Sequence, residues 1–478
     1  MTKAPHPTPA RAATGGTEPD AAEVIAEHLA RVEYSDLPAT VVTAAKACIL
    51  DTLGCMLAGT ACEDVVTITS MVAQWGGRPS STVFGQGALK VPAMHAVFAN
   101  GAAIHQYDFD DVHDLAPCHP TSTTLIPALA TAESVGGVSG KDLLTAVSLG
   151  NDVTVRVSMA VIGRIHDYPW FIAPVVGLFG ATTASAKILG ASARQHLHAI
   201  GLALPQVAGT WASLHHGGSS VRSIRDGLAY RNGVLAAEMA MKGIRGDSAV
   251  FDGPYGLFHA FYRGEYKREE LVSQLGERYE TARVSLKPWP SIRHLHTALT
   301  AVLDIMEEQN LHFEDVAQVI LNVGEVNLDR CRPAALGSVP ANHIDLLNNM
   351  HFAVAAAIRH RNVPLALYQD TALADDVITT AMPKVTWRYD ETLNGPWTFE
   401  AGRVEIVTTN GVSHKGECKV ALGNPDNPMT LAQMQAKFVS CAAAAGRPVA
   451  ASRALEIAEM VMHLDEVDDI GRLTRLLA

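Results

Sequence analysis

The chain has 478 residues, 48% of them hydrophobic, and Lys plus Arg at 37 against Asp plus Glu at 49 leaves a formal charge of −12. At ~100–200 residues per domain this length suggests two to three domains, and an acidic chain without a long basic run argues against nucleic acid and against an anionic membrane surface as partners. Any anion bound here must be held by Arg and Lys gathered locally against the protein's own field.

The first twenty residues, "MTKAPHPTPARAATGGTEPD", lack an apolar run and read as a disordered tail over 1–20, not a signal peptide. From Ala21, the spacing of Val24, Ile25, His28, Leu29 and Val32 predicts a helix. A second follows "SDLP", from Ala39 to Ala58, with Asp36 as N-cap and Pro38 in the first turn. Cys48, Cys55 and Cys62 fall on one face of it as small buried hydrophobes. The seven cysteines form no CxxC pair, which indicates reduced thiols and a cytoplasmic setting. No uninterrupted apolar run reaches membrane-spanning length, which predicts a soluble protein.

Ala-rich segments continue through "PALATAESVG", "GKDLLTAVSLGNDVTVRVSMAV", "VVGLFGATTASAKILG", "RQHLHAIGLALPQVAG" and "GLAYRNGVLAAEMAMKG". Each has about helix length, and most end in Gly, which accepts the left-handed C-cap conformation. After about Thr281 the texture changes. "VAQVILNV" is a β-branched run, "NMHFAVAAAI" is helical, and "RVEIVTTNGVSHKGECKVAL" holds two strands around an Asn-Gly turn. The last segment, with "MTLAQMQAKFVSCAAAA" and "ALEIAEMVMHL", returns to helix. The predicted fold is mainly α: a helical domain over 21–277 plus 421–478, with a smaller α+β domain over 278–420 inserted in it.

Chemistry concentrates in "NGAAIHQYDFDDVHDLAPCHP", which packs Asp108, Asp110, Asp111 and Asp114 with His105, His113 and His119 between two apolar runs. Three readings stay open on local sequence: a solvated helix end with capping carboxylates, a set of oxygen and nitrogen metal ligands without any fixed ligand spacing, or acid/base chemistry with Asp108 or His119 as proton carriers. Two basic segments bear on the choice. "HHGGSSVRSIRDGLAYRNG" follows a Gly-Gly-Ser-Ser turn with Arg222 and Arg225, where guanidinium and backbone N–H groups can hold a carboxylate. "SLKPWPSIRHLHTALTAVLDI" sets Lys287, Arg293, His294 and His296 around a Pro-rich turn that enters a helix. Each is also a surface basic cluster by default.

"LPATVVTAAKACILDTLGCMLAG", "VFANGAAIHQYDFDDVH…HP", "SGKDLLTAVSLGNDVTVRV", "KPWPSIRHLHTA" and "GNPDNPMTLAQMQAKF" resemble, in that order, successive landmarks of the MmgE/PrpD family, over roughly residues 22–440. The resemblance implies a large helical domain with a smaller α+β lid domain, a homodimer, a cleft between the domains, and no metal or organic cofactor. It implies catalytic roles for Asp108, His119, Lys287 and His296, and carboxylate binding by Arg222, Arg293 and Ser220. It leaves His294 to packing and gives His215 and His216 no settled role.

The family's dehydrations, decarboxylations and epimerisations each move a proton on or off a carbon beside a carboxylate, so fixed cations must stabilise developing negative charge. The chain is therefore expected to be a cofactor-independent lyase on a small di- or tricarboxylate, most concretely a 2-methylcitrate dehydratase-like hydro-lyase. An epimerase or cis-aconitate-type decarboxylase on the same fold, or a non-catalytic helical binding protein, are the alternatives. Against the decarboxylase branch, Val112 replaces Thr, Arg222 replaces Lys and Phe352 replaces Tyr. Arg does not give up its proton and Phe has none to donate.

Overall fold

The computed structural model describes residues 18–163, 167–212, 220–331, 343–395 and 399–478. The expected tail lies outside the described residues up to position 17; Asp20, at its end, caps the helix Ala21–Arg31 by accepting from the Ala22 N–H. The protein is mainly α.

Its core is a layered set of helices in which Ala93–Ile104, Pro120–Val135, Gly140–Ala160, Ile172–Ile188, Ala193–Ala203 and Val221–Met241 pack on one another. Small residues let these helices approach. A Cβ on Gly101 would lie 2.9 Å from the Gly227 Cα, and one on Gly227 would lie 2.6 Å from the Phe98 carbonyl oxygen. This crossing sets the first turn of Val221–Met241 beside the chain that leaves Ala93–Ile104, which is how Arg222 meets Asp108.

The helix Ala39–Gly59 has the length and apolarity of a membrane span, contrary to the expectation that no segment would. It is mostly buried inside the protein, with the C-terminal helices Leu431–Ala443 and Ala451–Met462 packed on it. Its N-cap is Pro38, two positions after the predicted Asp36, and Asp36 instead closes a reciprocal cap with Glu33 on the short turn Tyr34–Asp36. Because the helix ends at Gly59, Cys62 leaves the face shared by Cys48 and Cys55 and donates to the Tyr107 hydroxyl at 3.4 Å. All seven cysteines are free.

A four-stranded sheet runs in the order Val385–Tyr389, Val316–Val323, Gly402–Thr408, Ser413–Cys418. The last two strands form the hairpin that the Asn-Gly turn predicts. Val385–Tyr389 is an added strand, parallel to Val316–Val323 and reached through the helix Met350–His360. The helix His296–Glu308 packs across the hairpin strands. A short antiparallel pair joins Val112–His113 to Val284–Ser285. That pair ties the acidic stretch to the segment that carries Lys287.

Candidate active site

The acidic stretch is not a solvated helix end. The helix stops at Ile104, a single tight turn covers His105–Tyr107, and Asp108 takes a left-handed conformation at φ 46° and ψ 38°. Aspartate tolerates this region better than bulkier residues. The turn presents both the carbonyl and the carboxylate of Asp108 to one cation: Lys287 Nζ donates to the carbonyl oxygen at 2.7 Å and also to Oδ1. Arg222 Nη2 donates to Oδ2 at 2.6 Å. Burial opposes charge on Asp108, but Lys287, His105 and Arg222 outweigh it and hold the carboxyl well below the usual range. Three distant segments thus meet at one buried ion cluster.

A second layer orients two imidazoles. Asp110 is fully buried and accepts from His105 Nδ1 at 2.9 Å and from the Ser122 hydroxyl at 2.6 Å. His119 Nδ1 lies 2.7 Å from the Asp111 carbonyl oxygen, which can only accept, so the proton sits on Nδ1 and Nε2 carries the lone pair. The His105 and His119 rings meet edge to face at 4.5 Å. Burial lowers the His119 pKa to about 4, against the pull of Asp110. The ring is therefore neutral near pH 7. With 17% of its side chain exposed, it is the most accessible group of this cluster.

His105, Asp110 and His119 lie close enough together to be considered as a metal set. Both Nδ1 atoms, however, already donate to oxygen acceptors, and Asp110 already takes two donors. A cation would have to displace those bonds or approach through the Nε2 atoms, and the one described carboxylate near them, Asp108 at 3.9 Å from His105 Nε2, is already held by Lys287 and Arg222. The arrangement suits acid/base chemistry better than ligation.

Asp111 differs from its neighbours. It is buried, accepts from the Thr121 N–H at 3.2 Å through Oδ2, and has no partner for Oδ1. Burial raises its pKa to about 8, more than the Thr121 bonds lower it. Lys437 forms the floor of the cluster. Its Nζ donates to Asp51 at 2.5 Å, to the Phe109 carbonyl at 2.7 Å and to the Lys287 carbonyl at 2.9 Å, and so fixes the backbone on both sides of the Asp108–Lys287 pair. A 500 Å³ cleft opens beside it, lined by Phe109, Trp289, Asp304, Arg361 and Lys437 among others.

The other sequence-predicted residues fall as follows. Arg293 is not a free carboxylate binder: Nε and Nη2 grip both oxygens of Asp114 at 3.0 and 2.9 Å, and Nη1 donates to the Leu422 carbonyl. His296 is fully buried at the start of its helix, 3.2 Å from the Ser291 hydroxyl through Nε2; it makes no described bond to the Asp108 cluster, and Nδ1 has no partner. Burial, reinforced by Arg293 and Lys287, holds its pKa well below the usual value. Ser220 is exposed at the start of Val221–Met241 and makes no capping bond there. His294 packs edge-on against Phe399 at 4.9 Å. His215 and His216 lie outside the described residues. The sequence reading assigned no role to Lys437 or Asp51. The one signal for Lys437 is a cation beside Met434, Phe438 and Cys441 on an otherwise apolar helical face.

Two family models match the chain: the MmgE/PrpD N-terminal domain over residues 23–270 and the MmgE/PrpD C-terminal domain over 289–464. Among curated proteins it is 26% identical to the cis-aconitate decarboxylase-like protein oryM of Aspergillus oryzae, over 93% of this chain and 94% of that one. It is 25% identical to the cis-aconitate decarboxylases of Homo sapiens, over 91% and 90%, and of Aspergillus terreus, over 92% of each. With both models matched in order across most of its length, the chain belongs to the MmgE/PrpD family.

Proposed function

We propose that this chain is a lyase, independent of any cofactor, that acts on a small tricarboxylate by moving a proton at a carbon next to a carboxylate. The observation that carries the reading is the buried Asp108–Lys287–Arg222 cluster with a neutral, tautomer-fixed His119 beside it. Lys287 keeps one donor beyond its two Asp108 bonds and Arg222 keeps Nη1, so both can still bind an anion. Fixed cations in a dry site stabilise the carbanion-like charge that develops when the proton leaves. The bare His119 Nε2 takes that proton, and Asp108 holds the cations in register. Residues 278–420 act as a lid over the helical part, in a homodimer working in the cytoplasm. The almost complete burial of Asp108, Lys287 and Arg222 supports the lid alone, because substrate enters such a cluster only if the covering segment moves.

Within the lyase class we favour water elimination of the 2-methylcitrate type. Arg222 is ion-paired and does not release a proton, and Phe352 is buried without a hydroxyl. Decarboxylation is the second reading, favoured by the names of the relatives. Incubation with 2-methylcitrate and with cis-aconitate in D2O, followed by NMR, separates them. Water loss from the first acid supports the favoured reading, and CO2 release from the second supports the alternative. Deuterium exchange without net conversion indicates an epimerase instead, and no reaction with either acid overturns the tricarboxylate lyase.

A further inference from the structure

Arg225 sits one turn beyond Arg222, at the i+3 position that shares its helical face. It is 6% exposed, and its guanidinium lies over the Phe171 ring at 4.0 Å, a stacking that fixes the plane of the fork. Among the described residues its Nε and Nη1 have no hydrogen-bond partner, and neither does Arg222 Nη1. The nearest carboxylate oxygen, Asp226 Oδ1, stands 3.6 Å from Nε, beyond hydrogen-bonding reach, and is itself unpartnered. Arg222 and Asp108 are close enough to act on the Arg225 charge. Both arginines belong to the first turn and a half of a 21-residue helix whose N-cap, Ser220, makes no side-chain bond, and N–H groups at that end also favour an anion. A buried guanidinium that leaves two nitrogens unmet costs stability unless something fills the space it faces.

We infer that Arg225 is a specificity-determining residue of the site, holding a second carboxylate of the substrate while Arg222 and Lys287 hold the carboxylate next to the reacting carbon. The assignment rests on the tricarboxylate reading above and deepens it. A planar fork with adjacent Nε and Nη1 donors matches the two oxygens of one carboxylate. An acid that lacks this group leaves the fork unmet and binds less tightly, because the unpaired buried donors keep their full cost.

The test uses binding of unreactive acids to the full-length protein, so it does not depend on turnover. Calorimetry compares propane-1,2,3-tricarboxylate with glutarate, its analogue without the central carboxylate. The wild type is expected to bind the tricarboxylate ~10–100-fold more tightly, the range for charge-assisted hydrogen bonds. Arg225→Gln and Arg225→Met should lose that advantage while changing glutarate binding by no more than about twofold, and Arg225→Lys should keep part of it. Arg225→Lys, which keeps a cation beside the buried Asp226, should melt near wild type, whereas Arg225→Met leaves that carboxylate without its ion-pair partner, so the binding comparison is read on Arg225→Gln and Arg225→Lys as well. Two results would overturn the inference: variants that keep wild-type affinity for the tricarboxylate, or equal losses for both acids. If the binding pattern holds while no acid is turned over, the lyase reading falls and the carboxylate site stands.

Discussion

Two sets of buried arginine in this protein have opposite logic. Arg156, on the helix Gly140–Ala160, is completely buried and completely satisfied. Nε donates to Asp152 at 2.6 Å, Nη1 to the Glu270 and Ser273 carbonyls, and Nη2 to the Arg278 carbonyl. Arg222 and Arg225, buried nearly as deeply on Val221–Met241, leave three guanidinium nitrogens unmet. A buried charge with every nitrogen bonded stabilises the fold by tying loops together. One with donors to spare is tolerated where a ligand is expected. Saturation, more than burial or charge, separates the braces of this molecule from its candidate chemistry. By this criterion Arg293 belongs with Arg156, and Lys287 and His119 belong with Arg222.

The widest separation should come from His119. Its Nε2 carries a lone pair while Nδ1 is anchored, so His119→Ala removes a proton carrier and is expected to lower turnover by ~10²–10⁴. The melting temperature should change little, because this ring is the partly exposed one. Steady-state kinetics with the acid that the NMR screen identifies, paired with a thermal melt, checks both halves. Near-full activity would remove His119 from the site. His296 carries a different expectation from the one its sequence position suggests. It is fully buried against Trp289, so truncation there opens a void and lowers stability whatever it does to turnover.

The opposite result is expected at the satisfied arginine. Arg156→Met strands the Asp152 carboxylate and leaves three carbonyls without a donor, a loss of about 3–5 kcal/mol in unfolding free energy. Chemical denaturation measures it. Tricarboxylate binding by the fraction that remains folded should match wild type. If instead Arg156→Met is as stable as wild type, saturation does not mark a brace.

The helices were legible because their signals are local. Apolar spacing and terminal glycines lie within a few residues of the elements they define. The same holds for the Asn-Gly hairpin. The strand Val385–Tyr389 was not legible: it has five residues, two of them exposed, and its parallel partner lies across a helical crossover. Within the site, Asp108, Lys287 and Arg222 were identified through the family resemblance, since no spacing rule links positions so far apart in the chain. Arg293 was misread for the same reason. Its pairing with Asp114 joins two segments that the local sequence presents as separate clusters, one acidic and one basic. Nor does the sequence separate Asp111 from Asp108 and Asp110, because the cations that ionise those two act through the folded structure alone.

That division among the three aspartates gives the smallest of the expected effects. Asp108 and Asp110 are held ionised by nearby cationic and imidazole groups, whereas Asp111 is pushed by burial from 3.8 up to about 8 and has an unmet Oδ1. The folded protein therefore keeps a proton on Asp111 that the unfolded chain has already lost. The stabilisation from this group is fully present below about pH 3.8, declines as pH rises, and is gone above about pH 8. His119, lowered from 6.5 to about 4, contributes with the opposite sign between those values, so the two slopes offset each other below about pH 6.5. His28, His196, His296 and His351, also held below 6.5 by burial, act with the sign of His119, so the Asp111 contribution, a fall of about 2 kcal/mol between about pH 6.5 and about 8, is read as the difference between wild type and Asp111→Asn. Asp111→Asn keeps the shape of the neutral acid and cannot ionise, so it escapes that decline: it should be more stable than wild type near pH 6.5, and its advantage should grow by about 2 kcal/mol toward pH 8. Denaturant titrations of both proteins at the two pH values decide it. A wild-type slope that survives in Asp111→Asn would assign the titration to another group and place Asp111 among the satisfied carboxylates.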